Sequence, residues 1–327
     1  MQKYTNVHGS TLGLHAGETV EVRSLEEILA TLDSNGALDN LPFMPEMIQF
    51  CGRRFRVFKR ADKTCDTVNK TGTRRMVGAV HLEGLRCDGQ GHGGCQALCL
   101  LFWKEAWLKR PDGDRAAAVS ATPSARCSEE TLLGATSMPG PTPSGERRYV
   151  CQATQLPKAT AEMAWWDPRQ YVRDVRSGNV RLRDLLRGIA IGVFNAVQRR
   201  RSGRTYPHIA GSLTSTPVQK LDLRPGETVR IKSKDEILMT LSHRRRNRGL
   251  LFDPEMVKYC GGHFTVLARP ERIINEKTGA MMTLSNDCII LDGVTCVADL
   301  STNPNRLFCP RAIYPYWREI WLERVDS

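Results

Sequence analysis

Residues 17–32 read GETVEVRSLEEILATL and residues 226–241 read GETVRIKSKDEILMTL. The match continues without a gap through LPFMPEMIQFCGRRFRV against LLFDPEMVKYCGGHFTV, each residue 209 positions from its counterpart. The register slips by two where NKTG faces EKTG and returns where VHLEGLRC faces IILDGVTC. FWKEAWLKR then faces YWREIWLER. A period this long means two copies of a whole folding unit, not a solenoid of short repeats. The fold must therefore be one that each copy can build from local signals.

Those signals are mainly β. TVEVRS and TVRIKS alternate apolar and polar residues, as half-buried strands do. Ser24 lies three positions before Glu27, the spacing of a helix capping box, ahead of an apolar helical stripe. MPEMIQFCG reads as a short helix stopped by glycine. FRVFKRA, MVGAVHLEG and LLFWKEAWLKR read as strands, the last with Trp103, Glu105 and Trp107 on one face. The expected class is α+β, with two homologous small β-rich units of SH3-like barrel type. The expected division is an N-terminal extension (1–16), a first unit (17–110), a flexible Ala/Ser/Thr/Pro/Gly linker (111–148), a partly helical connector (149–225) and a second unit (226–327).

At 327 residues the chain has room for two or three such cores. Its 41% hydrophobic and 25% charged fractions are those of a globular chain. No apolar run approaches the roughly 18 residues of a membrane span, and the first residues lack a secretory apolar core. The default expectation is cytoplasmic, where clustered cysteines point to metal ligation more often than to disulfides.

There are 11 cysteines, and three fall on matched positions: Cys51 on Cys260, Cys87 on Cys296, and Cys95 on Cys309. Each triad needs a fourth donor. Cys99 is the choice in the first unit, with Cys65 or His92 as alternatives; Cys288 is the choice in the second, ahead of His263. Two closed tetrahedral zinc sites are expected, since soft thiolates suit that ion. An iron–sulfur cluster uses the same donors. No Cys-x-x-Cys occurs, and buried or redox-active thiols are the competing readings. Asp88 and His92, in the loop DGQGHGGC, are the candidates for catalytic roles, because glycines let backbone approach a ligand closely. His81 reads as a buried structural histidine, the paired tryptophans as core, and Glu105 and Glu319 as partners of basic neighbours. Trp165 and Trp166 are candidates for a recognition surface.

The formal net charge is +12, with clusters at QRRRSGR (198–204) and HRRRNR (243–248) that attract anionic partners. The segment VRLRDLLRGIAIGVFNAVQRR reads as an amphipathic helix docked on one of the units rather than on a membrane surface.

The blocks HLEGLRCDG…GHGGCQ…C…FWKEAWL, CQAT…WWDPRQYVRD and CPRAIYPYWREIWL resemble an uncharacterised, cysteine-rich bacterial protein family with a duplicated small domain. The resemblance covers nearly the whole chain and implies a common architecture. It brings no activity with it. No P-loop, dinucleotide fingerprint, nucleophile elbow or HExxH is present.

Three functions follow in order of weight. The first is a zinc-type, cysteine-ligated tandem-domain protein that binds a protein partner or an anionic ligand, or assembles a complex. The second is a metal- or thiol-dependent enzyme, with iron–sulfur or redox chemistry as one form, whose site is the first unit's glycine-rich loop. The third is nucleic-acid binding through the arginine clusters. From composition, limited proteolysis should cut first within 111–148. First cuts inside 17–110 or 226–325 would count against the division.

Overall fold

The computed structural model describes residues 12–69, 71–111, 127–138, 147–164, 166–300 and 307–325. They form a mixed α+β structure with mostly antiparallel sheets. The largest is a five-stranded half-barrel with spatial order Leu100–Lys104, Ala79–Arg86, Arg54–Arg60, Thr19–Val22, Leu108–Lys109. Alternation sets the faces: Val20 and Val22 are buried while Thr19 is exposed. Ser24 caps helix α1 (Leu25–Leu29) and Glu27 completes the capping box, so two otherwise orphaned amides are satisfied within the chain.

The second sheet has the order Ile290–Leu291, His263–Ala268, Thr228–Ile231, Leu322–Arg324. Its pairings correspond to those of the first. Thr19 faces Arg56 and Thr228 faces Thr265, both residues displaced by the same interval. The fifth strand shrinks to one bridge, Ile289 to Trp317, where the first sheet has Val80 opposite Trp103. All four paired tryptophans are fully buried. Trp107 donates its indole N–H to Thr31 Oγ1 at 3.1 Å, and Trp321 donates to Thr240 Oγ1 at 2.9 Å.

The expected single strand LLFWKEAWLKR is broken. A 3-10 turn, Glu105–Trp107, interrupts it. The Glu105 carboxylate accepts the Leu14 amide at 3.0 Å and the Arg60 guanidinium at 2.8 Å. Glu319 repeats this with Leu223 at 2.9 Å and Arg269 at 2.7 Å. Pulling the buried carboxylate toward these donors turns the chain, so Trp107 enters the core from a turn and not from a strand.

Much of the expected linker 111–148 lies outside the described residues. Within them, helix α2 (Glu129–Gly134) buries Leu132 in the first core, and Leu132 sits against Gly36. Helix α3 (Gln152–Ala159) docks on the same unit. Its Gln152 amide accepts from the Phe102 N–H at 2.8 Å and donates to Phe102 O at 2.9 Å and Pro42 O at 3.1 Å, extending the sheet edge with a side chain. Helix α4 (Arg169–Arg176) supplies Asp174, buried in an ion pair with Lys63.

Helix α5 (Leu182–Arg200) differs from expectation. It docks through a narrow, small face: Leu185, Gly188 and Asn195 are buried, and a Cβ on Gly188 would lie 2.6 Å from the Phe308 ring. Leu182, Leu186, Ile189, Val193, Phe194 and Val197 are exposed on its other side. No helix among the described residues is long and apolar enough to cross a membrane.

Gln152→Ala should destabilise the fold by about 2–4 kcal/mol, because it leaves the Phe102 and Pro42 groups buried without partners. Urea unfolding measures this. A loss comparable to a surface substitution would show that the edge is held by other contacts.

Candidate metal centre

One group of potential metal donors converges among the described residues: Glu46, Cys87 and His92, with donor atoms all within 4.8 Å of one another. Glu46 comes from the 3-10 helix Pro45–Phe50, Cys87 follows the strand Ala79–Arg86, and His92 ends the turn Gln90–His92. Cys87 Sγ lies 3.2 Å from Glu46 Oε1 and 3.4 Å from His92 Nε2, and His92 Nδ1 lies 3.5 Å from Glu46 Oε1. All three side chains are buried. Glu46 Oε2 and His92 Nδ1 have no hydrogen-bond partner, a costly arrangement for buried polar atoms.

Glycine makes this approach feasible. Gly89 adopts φ +75°, and a Cβ there would collide with the Cys95 backbone; a Cβ on Gly91 would lie 2.6 Å from Glu46 Oε2. The loop is therefore folded tightly onto the carboxylate.

The group borders a small, partly open cavity of about 40 Å³, whose wall also holds Cys95, Cys99 and Cys151. Glu276 and Arg311 line both this cavity and an outer cleft of about 310 Å³. Arg311 donates to Thr67 Oγ1 at 2.8 Å and pairs with Glu276 at 3.2 Å. Burial, aided by Glu276, pushes the Cys99 thiol up to about 12, and burial alone is the main cause that takes Cys151 up to about 11. Burial and then Glu46 raise Cys87 further. His92 is lowered by burial despite Glu46 and Asp88. Each of these shifts favours the neutral form of its group.

The loop also touches the second unit. Gln96 N donates to Arg272 O at 3.1 Å, its side chain accepts from Glu271 N at 2.7 Å, and Cys95 Sγ accepts from Ile274 N at 3.3 Å.

Neither matched cysteine triad gathers. Cys51 and Cys260 each end a 3-10 helix, with φ near −58° and −57°, and pack on their respective cores. That shared local role explains their match. Cys95 and Cys99 are cavity wall, not members of the donor group. Cys288 lies 3.3 Å from the Arg318 guanidinium. Cys296 and Cys309 pack with Cys65 in a separate small cluster. Burial works to raise Cys309, but hydrogen bonds from Cys65 and the Arg311 backbone, with the Arg311 charge, hold it down at about 7. Asp88 is exposed and accepts from Gln90 N at 2.9 Å, closing the loop's turn. His263 is exposed. His81 is fully buried against Leu101 O at 2.9 Å, and burial pushes it down to about 3. Trp166 is exposed, and Trp165 lies outside the described residues.

Sequence reasoning passed over Glu46. The signal was present: Pro-Glu-Met recurs in both copies, at 45–47 and 254–256. In the second unit Glu255 is likewise buried, and Lys258 Nζ stands 3.6 Å from Glu255 Oε2 and 3.3 Å from Asp299. Gln49 occupies the position of Lys258 in the first unit. The second carboxylate thus has its own ammonium, and the first has none among the described residues.

Comparison with known protein families, with curated proteins and with solved structures found no match.

Burial, then the Asp299 charge, raises Glu255 from its ordinary 4.5 to about 7. The folded protein then holds a proton that the unfolded chain has released. This contribution to stability is complete below the ordinary value and is lost as pH rises through about 7. Between about pH 5 and about pH 8 the protein should lose on the order of 1–3 kcal/mol that Glu255→Gln retains. Denaturant titrations at the two pH values decide it, and parallel losses in both proteins would refute the assignment.

Proposed function

We propose that the chain is a zinc-type metal-binding protein built from two SH3-like units, with its ion in the first unit on Glu46, Cys87 and His92. The observation that carries this reading is the closed triangle of three different donors, two of them with buried atoms left unpartnered. Carboxylate, thiolate and imidazole are all zinc donors, and small movements would bring them to the usual bond lengths of about 2.0–2.3 Å. Coordination would also deprotonate Cys87, offsetting the burial that keeps the thiol neutral.

A single ion fits the difference between the copies. Lys258 supplies the positive charge in the second unit, so the reading narrows from two zinc sites to one. Three protein donors beside a cavity leave a fourth position for water, an exogenous ligand or a neighbouring thiol. That is the donor count of an ion with an exchangeable position rather than of a fully closed Cys₄ staple. The tandem units are then the frame of a binding or assembly module with the ion at its junction. An iron–sulfur cluster draws less support, since only one thiol belongs to the donor group.

A thiol-dependent enzyme is the second reading. Cys87, His92 and Glu46 also stand in the order nucleophile, base and orienting carboxylate. The direct contact between Cys87 and Glu46 favours the ion, because in such a relay the imidazole separates the two.

Elemental analysis of anaerobically purified protein should find one zinc-type ion per chain. Cobalt substitution should give a thiolate charge-transfer band. Cys87→Ser, His92→Ala and Glu46→Gln should each weaken binding by roughly 10- to 100-fold or more, while Cys51→Ser and Cys260→Ser leave it intact. Folded wild-type protein that takes up neither zinc nor cobalt would overturn the reading. If its Cys87 were then alkylated rapidly, in a His92-dependent way, the relay would replace it.

A further inference from the structure

Helix α5 buries only a narrow face against the protein and leaves its wider apolar face exposed. Leu185, Gly188 and Asn195 are buried on the side turned inward, with Leu185 in a small cluster with Leu307 and Phe308. Leu182, Leu186, Ile189, Val193, Phe194 and Val197 lie on the side turned out, with Leu186 and Val193 60% and 59% exposed. At 100° per residue these six form one stripe along the helix.

The charges around the stripe identify what covers it. Residues 181–204 contain seven arginines (181, 183, 187, 199, 200, 201 and 204) and one acid, Asp184, which pairs with Arg183. Arginines at a helix C-terminus suit its dipole. Arg181 and Arg183 stand at the opposite end, where the dipole disfavours them, and Arg187 lies beyond the first turn, so the helix dipole accounts for none of the three. A second copy is a poor partner. A twofold pairing through α5 brings arginine against arginine whether the helices run parallel or antiparallel, with one acid per chain to offset them. An anionic surface meets both ends of the stripe at once.

We propose that α5 is a membrane-docking helix, lying in the headgroup plane of an anionic bilayer with its exposed stripe in the acyl boundary and its arginines on lipid phosphates. Large apolar residues beside arginines in one surface helix are the requirements of interfacial binding. The helix rests on the surface, because no described helix can span a bilayer. The small face stays on the protein, so docking needs no unfolding of the contact with Phe308.

Vesicle flotation of the full chain tests the proposal. The protein should float with phosphatidylcholine vesicles containing about a third phosphatidylserine, and at least roughly tenfold less with phosphatidylcholine alone. High salt should weaken the binding. The double substitution Leu186→Ser, Val193→Ser alters only exposed positions and should reduce binding at least roughly tenfold with an unchanged circular dichroism spectrum. Arg183→Gln with Arg187→Gln should reduce it and flatten its salt dependence. Folded protein that floats with neither vesicle would overturn the proposal, as would equal binding to both. Anionic binding that survived loss of the apolar pair would reduce the patch to a general polyanion site. A dimer that the apolar substitutions dissociate, without vesicle binding, would assign the stripe to a second copy.

Discussion

The buried carboxylate of Glu105 governs the shape of the first unit. An ionised group with so little solvent access is tolerable only when its charge and lone pairs are met, and Arg60, Leu14 and Gly13 meet them. Reaching those donors forces the turn after Trp103. That turn lets Leu108 and Lys109 pair with Thr19–Val22 and wrap the sheet. It also sets Trp107 beside Phe43, with ring centroids 5.2 Å apart. The second unit solves the same problem with Glu319, Arg269 and Leu223. The polar anchor and the aromatic core are thus one device, used twice.

The repeat made the architecture legible to a useful depth. The capping box at Ser24, the strand around Val20 and the buried tryptophans all follow from local pattern, because each is decided within a few residues. The break at Glu105 was not legible, since its cause lies about ninety residues away in sequence, at Leu14. The orientation of α5 was hidden for a different reason. An amphipathic pattern shows that a helix has two faces, but which one meets protein depends on Phe308, a contact from the other end of the chain.

The donor site was legible in part. His92 and Cys87 stood out by type and by their glycine-rich setting. Matched cysteines, however, carry two kinds of signal. Cys51 and Cys260 match because a small apolar side chain suits the end of a 3-10 helix, and Cys87 matches Cys296 because both stand in line with a buried glutamate. Residue identity alone does not separate these causes. The glutamate was overlooked because acids are common and usually exposed; its burial appears only when the loop folds over it.

The contacts of Gln96 and Cys95 with residues 271–274 give the loop a second role. It belongs to the donor site on one side and to the second unit's hairpin on the other. Binding energy that the proposed ion would spend on drawing His92 inward would therefore be shared with the packing of one half of the molecule on the other. Thermodynamic reciprocity makes this run both ways. Whatever loosens the hairpin, whether a partner or a change at Arg311, would weaken the grip on the proposed ion by the same factor by which that ion would tighten the two halves. The seam between the units would then be a gauge of the proposed ion's occupancy, readable from the outside of the protein.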